Sequence, residues 1–192
     1  IIGEAEGSTQ NARMIFKVEN ASGVLEKMRI NSSGQVGIGR TPAKHLDIGG
    51  TGSNSPVLRL TTFSSTNGHG ASITLQKSSS DTIGTQAETA SGDLLGNLWF
   101  AGCDTGGSEE HGSGISAYQT GAATGSYLPS DLRFIISSST HQVVRKEAMR
   151  IIESGNVGIG DTDPSEAKLS IDNVASGDVG LKIVQAQDEY GI

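Results

Sequence analysis

The sequence predicts an all-β chain, and three observations carry the prediction. Apolar and polar residues alternate with period two along most of the chain, which is the pattern of half-buried strands and not of helices. Clusters of Gly, Ser, Thr and Asn, such as Ser64-Ser65-Thr66-Asn67-Gly68, separate the alternating runs and supply turn chemistry. A segment that starts at Met28, Met-Arg-Ile-Asn-Ser-Ser-Gly-Gln-Val-Gly-Ile-Gly-Arg-Thr-Pro, returns from Met149 as Met-Arg-Ile-Ile-Glu-Ser-Gly-Asn-Val-Gly-Ile-Gly-Asp-Thr-Asp-Pro. A duplication of this kind marks a building block of an extended array.

Taken in order, the alternation predicts a strand over 13–19 and another over 25–31, joined by a polar turn into a hairpin that ends in Met28-Arg29-Ile30. The Val-Gly-Ile-Gly strand follows over 35–39, then 45–48 with Leu46-Asp47-Ile48, then 57–61 with Leu58-Arg59-Leu60. Strands over 71–76, 97–101 and 114–118 occupy the middle, where Gly92 to Gly102 is the most apolar run. The unit then recurs. Leu132-Arg133-Phe134-Ile135-Ile136 in a strand over 131–137 answers to Arg13-Met14-Ile15-Phe16-Lys17-Val18, and 142–151 ends in Met149-Arg150-Ile151. Strands over 156–160, 168–171 and 180–184 complete the second copy, with Leu169-Ser170-Ile171 and Leu181-Lys182-Ile183 in the matching places. The expected division is a first repeat spacer over 1–61, a β-rich inserted domain over 62–130 and a second repeat spacer over 131–192. The chain opens on Ile1 and not on Met, and it is read as a segment of a longer protein.

In an extended strand Val36 and Ile38 point one way while Gly37 and Gly39 leave the other face bare. Bare glycine weakens a strand unless another backbone approaches it. Identical chains wound about a common axis would meet that condition, with Val36, Ile38, Val157 and Ile159 filling the axis in layers as a trimer seam. An ordinary hairpin strand in a monomeric sandwich is the other arrangement compatible with the pattern. Composition favours association: 27 of 192 residues are glycine, apolar side chains make up 34% and aromatics 4%. A chain so poor in buriable side chains has thin material for a core of its own.

A net charge of −7, with no Lys/Arg cluster, argues against nucleic acid as a partner. No run of 18 apolar residues occurs, so no membrane-spanning helix is read. Cys103, the single cysteine, cannot close an intrachain disulfide and is read as a small residue at a strand end.

Sites of chemistry are sparse. Ile1-Ile2-Gly3-Glu4 superficially resembles a serine-protease N-terminus, but Ser91-Gly92-Asp93 has the wrong order for a nucleophile loop. Asp161-Thr162-Asp163-Pro164-Ser165-Glu166 offers carboxylates to a hard cation without a full ligand set, so it is read as a Pro-bent turn. Glu109-Glu110-His111 near Asp104 is the densest polar cluster, and its flanking glycines read as an exposed loop with no catalytic pair. Trp99, Tyr118 and Tyr127 could stack on a sugar ring; Trp99 lies in the most apolar run and is expected to be buried, and Tyr127, next to Leu128-Pro129, is the better exposed candidate. No catalytic residue, metal site or cofactor is expected.

The pattern Met-Arg-Ile, polar pair, Ser-Gly, polar, Val-Gly-Ile-Gly, then Thr, Pro and Leu-x-Ile resembles the repeat of tail fibre and tailspike proteins of tailed bacteriophages. The run Gly92-Asp93-Leu94-Leu95-Gly96 with Trp99-Phe100-Ala101-Gly102, and Leu132-Arg133-Phe134 ahead of Met149-Arg150-Ile151, are similar to the domain that precedes the repeat in such fibres. The resemblance implies an elongated, intertwined homotrimeric fibre, with hairpin and strand spacers flanking a β-rich domain. It further implies a non-enzymatic virion component, extracellular after release from the host cytoplasm, that spaces and orients a host-recognition tip. Its partners would be copies of itself, other tail proteins and a host surface glycan, with no membrane insertion. A glycan-binding or depolymerising tailspike module and a bacterial adhesin stalk are the alternatives. No segment matches the self-cleaving chaperone domain that ends many such fibres.

Overall fold

The computed structural model describes residues 2–6, 11–21, 23–52, 56–137, 145–172 and 181. All eleven regular elements among them are strands: β1 (Ile2–Glu6), β2 (Asn11–Asn20), β3 (Gly23–Ile30), β4 (Val36–Ile38), β5 (Leu46–Ile48), β6 (Leu94–Cys103), β7 (Glu109–Gln119), β8 (Ser130–Ile136), β9 (Lys146–Ile151), β10 (Val157–Ile159) and β11 (Leu169–Ile171). The chain divides into two compact units, Ile1–Ser72 and Ile73–Ile192.

The first unit carries a five-stranded sheet in the order β1-β2-β3-β4-β5. Neighbours are antiparallel except β4 and β5, which run parallel. The second unit carries a six-stranded sheet, β11-β10-β9-β8-β7-β6, again antiparallel except for β10 and β11. The fold is therefore all-β with two mixed sheets, as the alternation predicts. The second sheet runs without a break across position 130/131, because β7 pairs with β8 from Gln119↔Ser130 to Ser113↔Ile136.

The two copies of the repeat fold alike down to single hydrogen bonds. Met28↔Ile38, Arg29↔Gly37 and Ile30↔Val36 in one copy match Met149↔Ile159, Arg150↔Gly158 and Ile151↔Val157 in the other. Each copy has a bulge on the strand before Met-Arg-Ile. Lys27 is skipped opposite Phe16/Lys17, and Ala148 opposite Phe134/Ile135. The carbonyl of the skipped residue then accepts the N–H of Gly39 (2.9 Å) or Gly160 (3.0 Å). The turns between the paired strands need a left-handed residue, supplied by Gly34 at φ 76° and Gly155 at φ 78°.

Two strands expected from alternation do not form. Residues 57–61 and 71–76 have no ladder partner among the described residues, and Val57, Leu58, Ile73 and Leu75 are all more than half exposed. Alternation records which face of a strand is apolar, but a strand also needs a neighbour to bond with, and the described residues provide none here. The strand expected over 180–184 lies outside the described residues apart from Leu181, as does the 142–144 end of the strand before Met149.

The Glu109-Glu110-His111 cluster, expected in a loop, lies in β7. The loop is confined to the residues after Asp104, whose carboxylate accepts the N–H groups of Gly106 (2.9 Å) and Ser108 (2.8 Å). This Asx-type turn closes the β6–β7 hairpin tightly enough for pairing to resume at Cys103↔Glu109. The glycines farther on are strand residues. The Trp99 ring lies over Gly114, where a Cβ would come within 2.7 Å of Trp99 Cζ3 and 2.8 Å of the Leu98 carbonyl oxygen.

Candidate functional site

Register places the apolar side chains in rows across one face of each sheet. In the first unit the rows are Phe16–Met28–Ile38–Ile48 and Met14–Ile30–Val36–Leu46. In the second they are Leu98–Ile115–Phe134–Met149–Ile159–Ile171 and Ala117–Leu132–Ile151–Val157–Leu169. The four sequence-predicted seam residues, Val36, Ile38, Val157 and Ile159, sit within these rows. The rows are largely open: Ile38 is 40% exposed, Ile159 42%, Leu46 60% and Leu169 54%, while at the β6 end Leu75 lies over Gly96, the register partner of Ala117.

The opposite face is the covered one. It carries Ile15, 2% exposed, which pairs with Arg29. The bare side of Gly37 also lies there, and its own chain fills it. A Cβ on Gly37 would collide with the Arg40 carbonyl oxygen and come within 2.8 Å of Pro42 Cδ. A Cβ on Gly158 would collide with the Asp161 oxygen and reach 3.2 Å from Pro164 Cγ. The sequence reading of bare glycine as a docking strip for another chain is corrected on this point. The backbone that approaches is the prolyl turn three to six residues farther on, which folds back and buries both prolines.

Charge holds the covered face together. Glu26 and Arg29 pair side by side on β3 (2.8 Å), and Glu147 and Arg150 repeat the pairing on β9 (2.8 Å). The Arg29 hydrogen bond holds the Glu26 carboxyl below its ordinary value, and the Glu147 bond raises Arg150. In the second copy Arg133 stands opposite Arg150, where the first copy has Ile15 opposite Arg29. Two facing guanidiniums would repel. Asp131, its side chain 1% exposed, lies between them at 2.9 Å from Arg133 and 3.5 Å from Arg150. Arg133 also sits 4.2 Å over the Tyr118 ring.

The remaining sequence-singled residues serve structure. Trp99 stacks on His111 at 5.0 Å, and the Arg145 guanidinium lies 4.7 Å from its ring; the ring is half-buried, with Leu98 and Phe100 on either side more than half exposed, so the burial expected from the apolar run is partial. Cys103 ends β6 and is exposed. Asp161 accepts the Asp163 N–H (2.8 Å) in the prolyl turn. Its carboxyl is held below the ordinary range by the Ser170 hydroxyl first, then by that N–H and the Arg150 charge. Asp93 accepts the Ala90 N–H (2.9 Å) and pairs with Lys77 (3.1 Å). Tyr127 stands out at 78% exposed. Sequence reasoning missed two partners. Asp131 could have been found from charged residues alternating at 131 and 133, and Glu153 from its departure from Ser32 in the aligned repeat.

These features define a class of fold: mixed, twice-repeated β-sheets with one apolar face left open and the polar face closed by short turns. A similar fold is found in the carboxy-terminal domain of the bacteriophage T5 L-shaped tail fibre, with a TM-score of 0.61 at 11% identity over 98% of this chain and 76% of that one. The same T5 domain solved with its intra-molecular chaperone domain gives 0.59 at 11% identity, over 96% of this chain and 57% of that one. At this identity the likeness is one of fold. No protein-family model and no curated protein matches the sequence.

Proposed function

We propose that this chain is a structural segment of a phage tail fibre that works as a homotrimer, spacing and orienting a host-recognition tip. The open apolar face carries the reading. A sheet that is apolar on one side must bury that side against another layer, and the described residues leave most of it exposed. Two further copies would provide it, with Val36, Ile38, Val157 and Ile159 turned toward the shared axis. The unpartnered runs around Leu58 and Ile73 would gain strand neighbours from the same copies. The fold likeness to a T5 tail fibre domain supports the same conclusion.

On this reading the role is mechanical, the location is the virion, and the further partners are adjoining tail proteins. Residues 1–61 and 131–192 act as spacers on either side of 62–130.

Light scattering on the purified chain tests it. The expected mass is three times the 19.8 kDa of one chain, and a monomer at all working concentrations overturns the reading. Ile38→Asp or Ile159→Asp places three like charges at one level of the axis and is expected to abolish assembly. Glu109→Ala, at an exposed strand position, is expected to leave assembly unchanged.

A further inference from the structure

Asn67 is the only asparagine in the sequence that is followed by glycine, and the structure puts the pair at the tip of an open turn. The His69 N–H reaches the Thr66 carbonyl at 3.4 Å, with Gly68 at φ 87° and Asn67 at negative φ. Those signs belong to a type II turn whose central residues are Asn67 and Gly68. Every residue from 61 to 76 is exposed. The flanks of the turn are held, because the Ser64 hydroxyl accepts the Thr66 N–H (3.0 Å) and lies 3.0 Å from His69 Nδ1. The tip is held by little: its one backbone bond is longer than the ordinary range of about 2.7–3.2 Å. Among the described residues no group accepts the Gly68 N–H or bonds the Asn67 carboxamide. A Cβ built on Gly68 would meet nothing within 4 Å, so the Gly68 nitrogen is open to approach.

The other described asparagines are tied up. The Asn31 amide donates to Gln35 Oε1 (2.8 Å), and its oxygen accepts the N–H groups of Ser33 (3.1 Å) and Gln35 (3.0 Å). Asn156, 9% exposed, donates to the Pro164 carbonyl (2.8 Å). Asn11, Asn20 and Asn97 lie in β2 and β6, where the backbone is fixed by its ladder, and each is followed by a residue with a side chain.

We propose that Asn67 is a site of spontaneous covalent modification, at which the amide is converted to a mixture of isoaspartate and aspartate. Asparagine is among the thermolabile residues, and the reacting groups here are neighbours in one chain, which removes the entropic cost of bringing them together. The Gly68 nitrogen gives its proton to hydroxide and attacks Asn67 Cγ. The N–Cγ bond forms, the Cγ–Nδ2 bond breaks, and ammonia leaves with a proton from water, closing a succinimide. Water then opens the ring. Addition at Cγ restores the main chain as aspartate, and addition at the Asn67 main-chain carbonyl leaves isoaspartate, with the chain routed through Cβ. Attack requires rotation about ψ of Asn67, which only the weak His69–Thr66 bond opposes. Either product adds a negative charge to a chain that already carries −7. The isoaspartyl form also lengthens by a methylene the link between the runs 57–61 and 71–76.

Peptide mapping by mass spectrometry, combined with an isoaspartyl methyltransferase assay, tests the proposal on the purified chain held folded in mildly alkaline buffer and, in parallel, in denaturant. The peptide that contains position 67 is expected to exchange NH for O, to release ammonia in equal amount and to become methylatable, faster as pH rises. Folded and denatured chains are expected to convert at comparable rates at Asn67, whereas folding should protect Asn31 and Asn156. Gly68→Ala, which crowds the nitrogen, is expected to suppress conversion. Asn67→Gln, which must close a larger ring, should do so too, with an unchanged melting curve because the side chain is exposed. A folded chain that stays amidated at Asn67 while the denatured chain converts overturns the proposal. So does conversion at Asn31 or Asn156 in the folded chain as fast as at Asn67, or methylation that persists at this position in Asn67→Gln. None of these outcomes depends on whether the chain is a trimer.

Discussion

Replacing Gly158 by alanine puts a methyl group where the prolyl turn already sits. The added Cβ would lie 3.2 Å from both the Asp161 carbonyl carbon and Pro164 Cγ, with the carbonyl oxygen closer still. Ordinary carbon–carbon contacts fall at about 3.5–4.0 Å. Relief requires the turn to move, yet it is pinned by the Gly160 N–H on the Ala148 carbonyl (3.0 Å) and by the Asn156 amide on the Pro164 carbonyl (2.8 Å). Overpacking of this kind costs about 1–3 kcal/mol, and the upper half of the range applies because the obstacle is backbone. For a chain of this length about 2 kcal/mol lowers Tm by about 4–8 °C. Gly155→Ala is the control. Its φ of 78° with open space around the added Cβ leaves only the left-handed penalty of about 1–2 kcal/mol, offset by about 0.4–1 kcal/mol from the stiffer unfolded chain. Thermal denaturation followed by circular dichroism should therefore rank wild type above Gly155→Ala and Gly155→Ala above Gly158→Ala. Equal melting of Gly158→Ala and Gly155→Ala would refute the claim that the turn, and not a neighbouring chain, occupies the glycine face.

Two further outcomes follow from the charged face. Asp131→Asn removes one of the two carboxylates between Arg133 and Arg150, leaving Glu147 at 3.7 Å from Arg133 and 2.8 Å from Arg150, and should cost about 1–3 kcal/mol, read as a lower denaturation midpoint with an unchanged slope. The carboxyls of Glu26 and Asp161 are held below their ordinary values, by Arg29 and by the Ser170 hydroxyl respectively. Groups depressed on folding contribute stability above the unfolded carboxylate value and lose it as pH falls through the folded one. Tm should accordingly be flat from pH 7 to about 5 and fall below about 4, and Glu26→Gln should flatten that fall.

Much of the fold was legible because its determinants are local. Phe16 and Phe134, Met28 and Met149, and Gly34 and Gly155 hold matching places in the ladders because strand alternation and the glycine turn are written within a few residues of each. The Val36/Ile38 and Val157/Ile159 faces were legible for the same reason. The runs 57–61 and 71–76 misled because pairing depends on a second strand that no local pattern supplies. Glu109 to His111 misled in the opposite sense: the glycines before them do form the loop, but those after them lie in β7, where Gly114 makes room for the Trp99 ring from the adjacent strand.

The sequence by itself determined the period of the strands, the duplicated unit and which side chains share a face, since each follows from spacing of two along an extended chain. Only the tertiary structure decided that Pro42 and Pro164 fold back over the glycines, that Asp131 settles between two arginines, and that the Thr120 hydroxyl reaches Glu153. Those outcomes depend on hydrogen bonds between residues distant in sequence, such as Thr120 with Glu153. The free energy of such contacts exists only once the sheet has brought their ends together.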